Sequence, residues 1–131
     1  MIPLARRLVL SVSAVFLAAL SFAAPQPGDL IKSDEVKGKD VFERRCGGCH
    51  SPDRPGEGPR LRGVYGSKAA STPDFQYSAA LKNAQVTWNE DSLDRWLTDT
   101  DSVVRDNDMS FRVPNPDERR EVIAYLKSLT R

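Results

Sequence analysis

The 131-residue chain contains one histidine, two cysteines and two methionines, and each scarcity closes off a class of chemistry. A structural zinc site takes four nitrogen or sulfur ligands, and beyond Cys46, Cys49 and His50 the chain has no further Cys or His to complete one. Long runs of alternating β-branched residues are missing, which argues against a sheet. No internal repeat or low-complexity tract suggests a solenoid or a disordered tail. Neither sign of charge dominates: the net charge is +1 and the pI about 7.8, so no global field favours nucleic acid or a membrane surface. Hydrophobic residues make up 40% of the chain, but many of them fall in the first 24 positions. What remains is close to the size at which a polypeptide core alone is marginal, and a large apolar cofactor would supply the missing interior.

The N-terminus reads as an address. Arg6 and Arg7 precede an uncharged apolar run from Leu8 to Ala24, and a Pro/Gly-containing segment from Pro25 to Gly28 ends it. That layout predicts a secretory signal over residues 1–23, cut after Ala23, with the small residues Ser21 and Ala23 at the −3 and −1 positions. The rival reading is an uncleaved anchor, because 17 apolar residues approach the ~17–25 needed to span a bilayer. Either way the rest of the chain is exported, and a periplasmic location is expected. Residues 24–32 read as a flexible linker and 33–131 as one domain.

Helical signals fill that domain. Ser33 is a plausible cap for a first helix over 33–47, with Val36, Val41, Phe42 and Cys46 as its apolar stripe. Residues 47–66 are rich in glycine and proline and read as loop. A short helix is expected over 75–82. Asn89 caps a third helix in which Leu93, Trp96 and Leu97 share a face, and residues 99–115 read as polar and irregular. The last helix starts from Asn115 and Pro116, with Val122, Tyr125, Leu126 and Leu129 on one side. The expected fold is all-α, three to five helices with loops long enough to need something to pack against.

Cys46-Gly47-Gly48-Cys49-His50 is the C-x-x-C-H pattern of covalent haem attachment. Two thiols at this spacing reach the two vinyl groups on one porphyrin edge, and the adjacent imidazole then lies under the iron. A structural disulfide is a rival reading in an oxidising compartment, and a dithiol redox site is another, although the thioredoxin-like fold needs strands around the motif. If haem is bound, residue counts constrain its axial ligands. His50 is the only histidine, so two imidazoles from one chain cannot bind, and Met109 is the only methionine beyond Met1. His/Met ligation saturates the iron and raises its potential, which favours electron transfer over catalysis.

The chain resembles class I cytochrome c, of the branch similar to the mitochondrial protein and its bacterial relatives, over roughly residues 35–130. Gly38 and Phe42 match the first-helix pattern, and Val122 and Tyr125 match the last-helix partner. The stretch Gly58-Pro59-Arg60-Leu61-Arg62-Gly63 resembles the family's Gly-Pro-x-Leu-x-Gly. The resemblance implies one haem c on Cys46 and Cys49, with His50 and Met109 as iron ligands and the Pro59 carbonyl orienting His50. It further implies that Tyr77 and Trp88 meet a haem propionate, that Trp96 and Leu97 wall the methionine side, and that Asn107 and Phe111 belong to the ligand loop. The implied function is one-electron transfer by a monomer, without catalysis, to redox proteins docking transiently at the haem edge. Alternatives are a ligand-binding or peroxidase-like haem protein and a redox subunit of a larger oxidase or dehydrogenase. No nucleic-acid partner is expected, and a membrane only if the N-terminal segment stays uncleaved.

Some positions depart from the family pattern. Ser67 stands where an arginine often serves the inner propionate, with Lys68 beside it, and Leu81 stands where asparagine is common. Residues 86–120 contain nine acids against five arginines, and four of those acids lie between Asp99 and Asp108. The lysine ring of the mitochondrial protein is largely absent, so an acidic docking face is expected here instead.

Overall fold

The computed structural model describes residues 24 and 26–130; the expected signal over 1–23 lies outside them. Among the described residues five helices follow in order: α1 (Pro27–Arg45), α2 (Ala79–Asn83), α3 (Glu90–Thr98), α4 (Thr100–Val103) and α5 (Pro116–Ser128). Among the described residues there is no strand, only one isolated antiparallel bridge between Lys68 and Thr87. No described helix is long and apolar enough to cross a membrane.

α1 begins six residues before the position that the Ser33 cap predicts. Pro27 occupies its first turn together with Asp29, and both suit a helix N-terminus, so residues expected as linker are helical. Its buried stripe is Gly38, Val41 and Phe42. Val36, expected in that stripe, is 62% exposed, because two residues before Gly38 is nearly the opposite face of the helix. α1 packs chiefly on α5, where Val122, Ile123 and Leu126 are buried and the Phe42 and Tyr125 rings lie 5.4 Å apart. Gly38 makes this crossing close: a Cβ there would overlap the Glu121 carbonyl oxygen and sit 2.9 Å from the Tyr125 Cβ.

The remaining elements follow from their caps. Asn89 accepts from the Ser92 amide at 2.9 Å while the Ser92 hydroxyl accepts from the Asn89 amide at 2.8 Å, a reciprocal box that fixes the start of α3. Leu93, Trp96 and Leu97 are buried beneath it. Ser78, which accepts from the Leu81 amide, starts α2 at Ala79, four residues later than the expected start at 75. The stretch expected to be irregular contains α4, around the buried Thr100. Asn115 caps α5 by accepting from the Asp117 amide at 2.9 Å. Arg119 then ties α5 to α3 through Asp94 at 2.7 Å, and its Nη1 donates to the Val113 and Pro114 carbonyls.

Candidate haem site

The helices and the two long loops enclose a cavity of about 510 Å³, within the ~300–1,000 Å³ typical of small-molecule and cofactor sites. Its wall takes in Cys46, Cys49 and His50 from the end of α1, Pro59 from the loop, and Tyr77 and Trp88 from the central segment. Trp96 and Leu97 join from α3, and Met109 and Phe111 from the loop before α5. All the expected site residues except Asn107 therefore meet at one cavity. Leu61, Val64, Leu81, Leu93, Val122 and Leu126 supply an apolar lining that the motif does not announce. In sequence they read as ordinary core positions, and only the tertiary fold shows that they face a cavity.

His50 is held in one orientation. Its Nδ1 lies 2.8 Å from the Pro59 carbonyl oxygen. A carbonyl can only accept, so Nδ1 carries the proton and Nε2 keeps the lone pair that a metal needs. Gly58 leaves no room for a side chain: a Cβ there would sit 2.6 Å from the His50 Nδ1. The loop thus closes on the imidazole from its backbone side.

The sulfur and aromatic groups are as closely specified. The Trp96 Nε1–H donates to the Met109 sulfur at 3.3 Å, and the Trp88 and Trp96 rings meet edge-on at 5.1 Å. Asn107 lies outside the cavity but fixes the loop. Its Oδ1 accepts from the Met109 amide at 2.8 Å, and its Nδ2 donates to the Val104 carbonyl at 2.8 Å and to Asp101 at 3.1 Å. The Tyr77 hydroxyl and the Trp88 indole N–H have no hydrogen-bond partner among the described residues, which leaves both able to donate to a ligand. Ser67 and Lys68 do not line the cavity; the Ser67 hydroxyl is occupied by the Val64 carbonyl at 2.7 Å.

The two thiols are unbridged, and the surroundings push both toward the protonated form. Burial pushes the Cys46 thiol up to about 11, only partly offset by Arg45. The exposed Cys49 thiol is raised by its hydrogen bond to the Glu57 carboxylate, 3.4 Å away. A dithiol redox centre needs the opposite, a thiol acidified by its surroundings. Two thiols at the rim of an apolar cavity can add across vinyl groups, each S–H adding over a C=C bond. Thiols, imidazole, thioether and apolar lining together fit haem c.

A cytochrome c family model matches residues 35–130. Cytochrome c2 of Rhodomicrobium vannielii is 44% identical over 97 residues, covering 71% of this chain and 77% of its own. Cytochrome c of Sesamum indicum is 36% identical over 114 residues, covering 84% of this chain and 98% of its own. Among solved structures, cytochrome cH from Methylobacterium extorquens superposes with a TM-score of 0.69 at 35% identity, over 72% of this chain and 98% of its own. Cytochrome c2 from Rhodospirillum centenum gives the same TM-score at 30% identity, over 75% and 99%.

Proposed function

The chain belongs to the cytochrome c family, an electron-transfer protein with haem c on Cys46 and Cys49, and we propose that His50 and Met109 are the two axial ligands of its iron. When bound, the haem supplies a one-electron iron couple. The observation that carries the ligand assignment is that His50 and Met109 line the same cavity, each held by a hydrogen bond that leaves a lone pair over: Nε2 of His50, and the second lone pair of the Met109 sulfur. The apolar lining keeps water from the reacting centre, and Asn107 limits the movement of the Met109 backbone.

Electrons then leave to partners that dock at the cavity mouth. Ion pairing supports an acidic docking face. Of the four acids between Asp99 and Asp108, Asp99 is neutralised by Arg112 at 3.0 Å. Asp101, Asp106 and Asp108 have no cationic partner among the described residues, and Asp108 lies on the cavity wall. Most other acids on the surface are paired, as Asp34 and Asp117 are with Arg120, or Glu118 with Arg44 and Arg45. Three unpaired acids against Arg105, also unpaired among the described residues, leave this loop net negative, and Asp108 puts part of that charge at the cavity, where it would steer a Lys- or Arg-rich redox protein. The carrier is proposed to work as a monomer in the periplasm, after removal of residues 1–23.

Cyanide tests the reading. An iron closed by both ligands takes up cyanide slowly and shows no peroxidase turnover with hydrogen peroxide. Prompt cyanide binding with sustained turnover would instead mean an open position and a catalytic haem.

A further inference from the structure

A carboxylate in a low-dielectric pocket must be neutralised, hydrogen-bonded or left protonated. Haem c brings two propionates, carried on the porphyrin rings other than those joined to the thiols. Given the haem reading above, some group of this chain has to meet them. The cavity wall includes two cations, Arg45 and Arg60. Arg45 adjoins Cys46, at the thioether edge, and its Nη2 is committed to Glu118 at 2.9 Å.

Arg60 stands differently. It bonds Asp74 through Nε alone, at 3.2 Å to each carboxylate oxygen, and its side chain is 33% exposed. Neither Nη makes a hydrogen bond with any described residue. Asp74 thus holds the guanidinium at Nε and leaves both Nη groups of the fork uncommitted, on a residue that lines the cavity. That fork is suited to taking an oxygen pair bidentately. The same cavity is lined by the unpartnered Tyr77 hydroxyl and Trp88 indole N–H, two more donors without an acceptor. The other charged groups on the wall, Glu57 and Asp108, are acids and cannot fill the role.

We propose that Arg60, positioned by Asp74, is the counter-ion of a haem propionate. A cation beside that carboxylate cancels part of the negative charge that would otherwise favour the oxidised iron. Arg60 therefore raises the midpoint potential.

The test is the midpoint potential, across a pH series, of the haem-loaded protein with Arg60→Gln, Arg60→Lys and Asp74→Asn, the visible spectrum confirming haem in each. Arg60→Gln should lower the potential, and Arg60→Lys should keep most of the original value. Asp74→Asn breaks the same ion pair but removes a negative charge, so it should leave the potential unchanged or raise it. A salt bridge that never meets the propionate would leave the propionate's own titration, and so the pH dependence of the potential, the same in Arg60→Gln as in the parent. If Arg60→Gln and Asp74→Asn move the potential in the same direction, or if haem-loaded Arg60→Gln matches the parent in its potential or in that pH dependence, the inference is overturned. The carrier reading survives that outcome, since it depends on haem binding and axial ligation.

Discussion

The Trp96 indole N–H donates to the sulfur of Met109 across 3.3 Å, so the proposed sixth ligand arrives with one of its lone pairs already engaged. An engaged sulfur gives less electron density to the iron, and the oxidised state has more need of that density. Trp96→Phe removes the donor while keeping an aromatic ring in the wall. It should lower the midpoint potential by about 40 mV if the bond differs between redox states by ~1 kcal/mol. The oxidised protein should also resist displacement of Met109 more strongly. A potential that rises or stays the same would argue that the hydrogen bond does not act on the ligand.

Asn107 holds the same methionine from the backbone side, accepting from the Met109 amide and donating to the Val104 carbonyl. Asn107→Ala leaves both groups without this partner, a loss of about 1–2 kcal/mol from the closed loop. Imidazole added to the oxidised protein should then bind roughly tenfold more tightly, because the competing Met109 bond is weaker. Equal imidazole affinity in the two proteins would remove Asn107 from the account.

Gly38 is where α1 meets α5, and the Glu121 carbonyl occupies the space that a methyl group would need. Gly38→Ala must push the helices apart, which should cost ~1–3 kcal/mol, outweighing the gain in helix propensity. Denaturant unfolding of the haem-loaded protein measures it. Stability within ~0.5 kcal/mol of the parent would show that the crossing is looser than described.

Much of this was legible in the chain. The caps at Asn89 and Asn115, the stripe of Leu93, Trp96 and Leu97, and the C-x-x-C-H motif are local signals, and local signals survive in a linear reading. Cap chemistry misplaced the start of α1, because Pro27 and Asp29 also begin a helix well and its first turns need no tertiary contact. Val36 misled because a β-branched apolar residue near a helix start resembles a core position, and it is exposed. In the Gly-Pro-x-Leu-x-Gly pattern Arg60 fills a variable position. Its pairing with Asp74 spans fourteen residues of loop, and no periodicity encodes that. The pairing of Asp99 with Arg112 likewise joins two loop positions that no local pattern relates.

Docking can be tested on the acids that remain uncompensated. Asp106 has a positive φ of 59°, which asparagine tolerates, so Asp106→Asn with Asp108→Asn removes two charges without straining the loop. At low salt, electron transfer to a basic partner should slow about 2–10-fold, with a shallower decline as ionic strength rises. A rate and salt dependence equal to the parent's would place the docking face elsewhere.

In the proposed centre His50 and Met109 close one haem joined to Cys46 and Cys49. The oxidised absorption spectrum, recorded into the near infrared for the parent and for Met109→Ala, addresses it directly. The parent should show the weak charge-transfer band at the red edge that marks methionine sulfur on iron. Met109→Ala should lose that band, fall in potential and bind cyanide promptly. A parent without the band, or a variant that keeps it, would contradict the account.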